Sequence, residues 1–195
     1  MLIFLTLGVM GAIAYASLRE GLLTALSTFV NVVIAGLVAF NFFEPLANQF
    51  EDLFRGSFLV GYEDALALTA LFAITLGLLR VLTNNLASSD QDLPALLQQV
   101  ATGAVSLVTG YLVAGFLVCV FQTLPLEEKF LGFEYQQEPS VPNKIRSLIP
   151  PDRVWLALMH QGGKAAFSQE DGAIFDPQGT FSLRYAKKRR TPSTP

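Results

Sequence analysis

Four long apolar stretches, separated by short polar breaks, make up the first two thirds of this chain. The longest, residues 93–126, contains no Lys, Arg, Asp or Glu. Its centre, 100–123, is long enough to cross a bilayer as a helix, because a hydrocarbon core of about 30 Å needs about 20 apolar residues at 1.5 Å each. Within it Thr102, Ser106, Gly110 and Ala114 recur at every fourth position. On a helix that spacing lays small side chains along one side, where a second helix backbone can approach closely. A single such row is a common accident of apolar helices. Here the pattern recurs: Gly8, Ala12 and Ala16 in the first stretch, Ser27, Asn31, Ala35 and Ala39 in the second, Ala65, Thr69, Ala73 and Gly77 in the third. Four rows together predict an all-α membrane protein, a four-transmembrane-helix bundle with spans at about 2–18, 21–43, 65–82 and 100–124 and the small-residue rows as its helix-packing faces.

The polar breaks refine this picture. The first stretch carries Ala14-Tyr15-Ala16, which has the form of a signal-peptide cleavage site. It lacks a positively charged leading region, however, and a second apolar stretch follows almost at once, so it reads as a retained span. Arg19-Glu20-Gly21 is then a tight polar turn. In the second span Asn31 is the one amide at mid-depth, and it has two readings: a contact for a solute or ion, or a hydrogen bond to a neighbouring helix. The second is favoured, since no other strongly polar group is placed to share a site with it. Residues 44–64 form the first real loop. There Phe43, Leu46, Phe50, Leu53 and Phe54 follow helical spacing with Glu51, Asp52 and Arg55 off that face. This fits a short amphipathic helix on the membrane surface or a cap packed over the bundle, and the pattern does not separate the two. Residues 83–92 are polar linker, and Asp92 with Pro94 opens the fourth helix.

After residue 126 the chain changes in kind. Residues 127–151, with Pro139, Pro142, Pro150 and Pro151, predict an irregular linker. Residues 152–186 predict a small polar tail made of a short helix plus a β-hairpin. Asp152 caps a helix carrying Val154, Trp155, Leu158 and Met159 on one side, stopped by Gly162-Gly163. Ala173-Ile174-Phe175, the turn Asp176-Pro177-Gln178-Gly179 and the alternating Phe181, Leu183 and Tyr185 suggest two strands. An isolated hairpin is marginal in water, so this piece is expected to dock on something. Residues 187–195, Lys187-Lys188-Arg189-Arg190 and a Thr/Pro/Ser end, predict a disordered basic terminus rather than a nucleic-acid contact.

Composition supports the membrane reading. Hydrophobic residues are 52% and charged residues 15% of the chain, with a mean hydropathy of +0.46, against about 25% charged in a soluble domain. Charge is also uneven. Residues 1–126 hold three basic and eight acidic groups, and the remainder holds ten basic and eight acidic. The single cysteine, Cys119, excludes an intrachain disulfide and a cysteine-based zinc site, and among Val118, Val120 and Phe121 it reads as a small hydrophobe. No metal or cofactor is expected. Neither a nucleophile–base set nor a metal set is visible, and His160 has no Ser/Asp constellation around it, so an enzyme is not expected.

Four short-looped apolar helices, a charged turn after the first, an amphipathic loop after the second and a glycine-bearing fourth helix together resemble the CvpA (colicin V production protein) family over roughly residues 1–125. The family's turn typically carries Arg-Gly; here it is Arg19-Glu20-Gly21, one residue out of pattern. In the last helix Gly103 and Gly110 stand at spaced glycine positions, while Gln98-Gln99 occupy the place of a basic residue. The resemblance implies a multi-pass protein of the bacterial inner membrane, linked to toxin production or export and to envelope function. Some relatives carry a trypsin-like protease after the fourth helix, for which the tail here is too short.

Within that frame the expected role is an accessory or scaffold protein whose partners, beyond the lipid bilayer, are other membrane proteins or further copies of itself. The alternative is a small passive channel or transporter lined by Asn31, Thr69, Thr75 and Ser106; the absence of ionisable groups inside the spans argues against proton coupling. Arg19 and Arg80, close to span ends, favour both termini lying outside the cytoplasm.

Overall fold

The computed structural model describes residues 2–18, 21–57, 59–84, 94–125, 151–166, 181 and 184–185. Five helices with described bounds follow one another: α1 (Leu2–Leu18), α2 (Leu22–Phe54), α3 (Glu63–Asn84), α4 (Ala95–Thr123) and α5 (Pro151–Ala166). Among the described residues there is no strand. Three helices, α2, α3 and α4, are long and apolar enough to cross a membrane, which makes this a helical membrane protein. Of the four expected spans, α1 is the short one: it has 17 residues, and its apolar part is Thr6–Ser17.

Packing does not follow chain order. α2 and α3 lie against each other, as do α1 and α4, while α1 and α2, consecutive in the chain, scarcely meet. Gly21 has φ +89°, in the left-handed region that suits glycine, and its carbonyl accepts the Ala25 N–H at 3.1 Å. Arg19 and Glu20 lie outside the described residues. α4 joins the two pairs by packing on α2, and α5 lies against both α4 and α2.

α2 is one helix of 33 residues, about 50 Å long. It runs straight through Pro45, so the amphipathic stretch after Phe43 continues the second helix instead of forming one of its own. The helix ends at Phe54, followed by the cap residue Arg55 and by Gly56 at φ +82°. A second positive-φ glycine, Gly61 (φ +95°), turns the chain into α3, and both carboxylate oxygens of Glu63 accept its N–H, at 2.9 and 2.8 Å. That use of the carboxylate accounts for a buried Glu63 at a helix start, where negative charge is also favoured by the helix dipole.

At the described residues of its second strand the expected β-hairpin is corrected to helix. Phe181, Arg184 and Tyr185 are helical; the other expected strand, 173–175, lies outside the described residues. Alternation and helical spacing compete in Phe181-Ser182-Leu183-Arg184-Tyr185. The helical pairing prevails because residues four apart share one face: Phe181 and Tyr185 are both buried, with ring centroids 4.8 Å apart.

The core is an aromatic cluster at the end of the bundle where α2 leaves, α3 begins and α4 ends. Phe72 of α3 stacks on Phe116 of α4 with centroids 3.9 Å apart. Phe40 of α2 meets Phe116, Trp155 and Phe181 edge-on or tilted, at 6.3, 6.1 and 5.7 Å. Trp155 and Met159 of α5 are completely buried in this cluster. The tail helix therefore docks on the chain's own bundle and completes its core.

Candidate functional site

The four small-residue rows are the candidate site, and the structure divides them into two kinds. On α4, Thr102, Ser106, Gly110 and Ala114 are all buried. Ser106 Oγ donates to the Thr102 carbonyl at 2.7 Å, which satisfies a hydroxyl that would otherwise be orphaned in an apolar setting. At Gly110 a Cβ would stand 2.6 Å from the Met10 Cα, so here the backbones of α1 and α4 touch. On α2, Asn31, Ala35 and Ala39 are buried and Ser27 is half-buried. Asn31 Nδ2 donates to Thr83 Oγ1 at 2.9 Å, and that hydroxyl in turn donates to the Leu79 carbonyl at 2.9 Å. The amide thus holds α2 to the last turn of α3, the cross-helix reading of the two open in the sequence.

The other two rows face outward. Gly8, Ala12 and Ala16 of α1 are exposed, and a Cβ at Gly8 would meet nothing within 4 Å. α1 approaches α4 through Met10, and its buried polar residue is Ser17. On α3, Ala65 is buried while Thr69, Ala73 and Gly77 are exposed, and Gly77 too has open space around it. α3 packs instead through Ala67, Leu68 and Phe72. Three of the polar residues suggested as a channel lining differ in their surroundings. Thr69 points outward, while Asn31 and Ser106 direct their polar groups to Thr83 and to the Thr102 carbonyl.

The sequence rows missed a third arrangement, the seat of the tail. A Cβ at Gly36 of α2 would lie 2.9 Å from Met159 Sδ and collide with the Trp155 ring. A Cβ at Gly115 of α4 would lie 2.9 Å from Trp155 Cβ and collide with the Pro151 carbonyl. Gly162 of α5 receives Leu37 in the same way, at 2.7 Å. Each glycine gives up its side chain so that α5 can sink between α2 and α4. Polar contacts line the edge of this seat: Gln122 Nε2 donates to the buried Asp152 carboxylate at 3.0 Å, and Arg184 pairs with Glu44 at 2.6 Å. Burial, and then the neighbouring Asp64 carboxylate to which its hydroxyl donates, push the Tyr185 phenol well above its ordinary value. A signal for this seat was present, in that Gly36 and Gly115 stand one position beyond Ala35 and Ala114 and so off the rows. Nothing in one sequence tied them to Trp155, 119 residues after Gly36 and 40 after Gly115.

Among the described residues no three of His, Cys, Asp or Glu are grouped to hold a metal ion. Cys119 is wholly buried. The arrangement offers close-packed faces and hydrogen bonds that fix helices against one another.

No curated protein and no solved structure matches the chain. The model of one family, described as colicin V production protein, matches residues 4–141, a stretch that takes in α2, α3, α4 and nearly all of α1, and stops short of α5. The chain belongs to the colicin V production protein (CvpA) family.

Proposed function

We propose that this protein is a non-enzymatic accessory or scaffold component of colicin V production or export in the bacterial inner membrane, with α1 as a short fourth crossing beside α2, α3 and α4. The observation that carries this reading is the outward placement of two small-residue rows. Gly8, Ala12 and Ala16, and likewise Thr69, Ala73 and Gly77, lie on faces the chain itself leaves uncovered. Rows of this kind let another membrane helix approach closely, and the packing and hydrogen bonds gained there drive association where lipid already satisfies apolar surface. The partners are other membrane proteins or further copies of the chain.

The test is complementation in colicin V-producing cells that lack the gene. Gly8→Leu and Gly77→Leu are expected to leave insertion and abundance unchanged and to lower colicin V release. Full release with both substitutions present would remove the scaffold reading. The purified chain in liposomes is expected to carry no ion flux; flux would favour the channel instead.

A further inference from the structure

α2, α3 and α4 each report where the tail helix sits relative to the bilayer, and they agree. Trp155 of α5 packs at Gly36 of α2, beside Phe72 of α3 and at Gly115 of α4. On α2 the next charged residue, Glu44, is eight positions beyond Gly36, or about 12 Å at 1.5 Å per residue. On α3, Asp64 is eight positions from Phe72, again about 12 Å. On α4 the polar Gln122 is seven positions from Gly115, about 10 Å. Residues 44, 64 and 122 thus stand toward one end of the bundle, and Trp155 packs about 10–12 Å of helix length in from them.

Helix length at the other end of the bundle puts the edge of the hydrocarbon near these residues. About 20 helical residues are needed to span the core. Counted from Asn84, where α3 ends, they reach Asp64; counted from Leu22, where α2 begins, they reach Phe42. A bilayer shifted far enough to leave Trp155 in water would keep only the stretch of α3 from Phe72 to Asn84, about 18 Å, against a core of about 30 Å. It would also draw Arg80 toward mid-membrane, at a cost that few proteins carry.

The backbone of α5, and not its tryptophan ring alone, lies at this depth. Trp155 Cβ and the Pro151 carbonyl abut Gly115, and further along α5 Gly162 abuts Leu37. The first contacts are to α4 and the later ones to α2, so α5 runs across the bundle. Its one buried carboxylate, Asp152, is hydrogen-bonded by Gln122 nearer the edge.

We propose that α5 is an additional membrane element, an in-plane helix seated inside the hydrocarbon between α2 and α4, whose outward face meets bilayer lipid. Ala157 lies on that face between Arg153 and Gln161, all three exposed; the long side chains of the last two can reach toward the headgroups from this depth.

The test uses the full chain in proteoliposomes with nitroxide labels on single introduced cysteines. Cys119, fully buried, stays in place, and the parent chain serves as the blank. Ala157→Cys and Gln161→Cys report on α5. Ile74→Cys, exposed at mid-span on α3, and Glu51→Cys, seven residues beyond Glu44 on the projecting end of α2, are the references. Oxygen, which concentrates in lipid, is expected to relax the Ala157 label more than a water-soluble nickel chelate does, as at Ile74, with Gln161 shifted toward the edge. Nickel dominance at both α5 positions, as at Glu51, would put the helix in water above the bundle and overturn the proposal. Collision with neither reagent would mean that protein covers the face, and would remove lipid as its partner. Nickel access at Ile74 as well would instead remove the membrane frame on which the proposed function also depends.

Discussion

The rows on α2 and α4 and the rows on α1 and α3 have the same spacing and much the same residues, yet opposite surroundings. Ala35, Ala39 and Ala114 are wholly buried, whereas Ala12, Ala16 and Ala73 are exposed. A four-residue row of small side chains says that a helix can be approached closely; it does not say what approaches, or whether the approaching helix belongs to the same chain. What separates the two kinds is the second side of the helix. α2 and α4 carry further small residues, Gly36 and Gly115, one step off the row, which widens the approachable face enough to admit α5 beside the other helices. α1 and α3 each have one principal neighbour, and they meet it through larger residues, Met10 on α1 and Leu68 and Phe72 on α3.

The comparison is tested most severely at the inner glycines. Gly115→Leu drives a side chain into the Pro151 carbonyl and Trp155, and Gly110→Leu drives one into the Met10 backbone. Neither obstacle is the free end of a flexible side chain, so the helices must separate. Overpacking of a filled core costs about 1–3 kcal/mol, occasionally more, and both variants are expected at or above the top of that range. The measurement is the unfolding midpoint in detergent together with protease resistance in membranes. Near-parental behaviour of Gly110→Leu would show that α1 and α4 do not touch as described. The two substitutions also separate cleanly: Gly115→Leu is expected to free α5 to proteolysis while α1 stays protected, and Gly110→Leu to do the reverse.

How much of this was legible beforehand follows the range of the interaction. The three long helices were visible because length, hydropathy and the lack of charge are properties of contiguous residues. The buried row on α4 was found for the same reason. The route of α2 through Pro45 was hidden, since proline normally marks a helix start or break, and here α2 simply continues past it. The place of the tail was hidden more deeply. Val154, Trp155, Leu158 and Met159 announced an apolar face that had to be covered, but a proline-rich linker argued for separation, and the covering surface was two glycines on helices far away in sequence. For residues 181–185 the alternating pattern was real; the aromatic cluster at Phe40 and Phe43 rewards the i, i+4 pairing of Phe181 and Tyr185 instead.

A smaller effect is expected where the inner helices meet through ordinary side chains. Leu112 of α4 is buried in the aromatic core. Leu112→Ala leaves a cavity there, at about 2–5 kcal/mol by analogy with soluble cores. The low end is expected, because the value should fall below that of Gly110→Leu measured in the same detergent. The opposite order would mean that apolar fill matters more than close backbone approach, and the distinction between rows and bulk packing would lose its force.

Smaller again is the polar tie between α2 and α3. Asn31→Leu removes the bond to Thr83, whose hydroxyl keeps its own bond to the Leu79 carbonyl and so is not orphaned. Cross-helix hydrogen bonds in membranes average about 0.6 kcal/mol, and a loss of that size is expected; Thr83→Val, which takes the acceptor from the buried Asn31 amide, is expected to cost more. A double-mutant cycle gives the coupling directly. A loss several times larger from Asn31→Leu alone, with no coupling to Thr83, would return Asn31 to the role of a solute contact.

The least effect is expected at the outer rows, and that expectation is what sharpens the comparison. Gly8 and Gly77 have open space where a side chain would go. Replacing a helix-interior glycine with leucine also removes an intrinsic penalty of close to 1 kcal/mol. For the isolated protomer, Gly8→Leu and Gly77→Leu should therefore be neutral or slightly stabilising, the reverse of Gly110→Leu although the substitution is identical. The same variants carry a second readout. If another helix occupies these faces, leucine obstructs it, and association should weaken while the protomer stays folded. Unfolding followed at several protein-to-detergent ratios separates the two. A midpoint that is unchanged at high dilution and lowered at high protein density would place a further copy of this chain on the outer rows. A midpoint unchanged at every density would leave them to lipid or to a different membrane protein, and the outcome of colicin V release in the same variants then decides between those two.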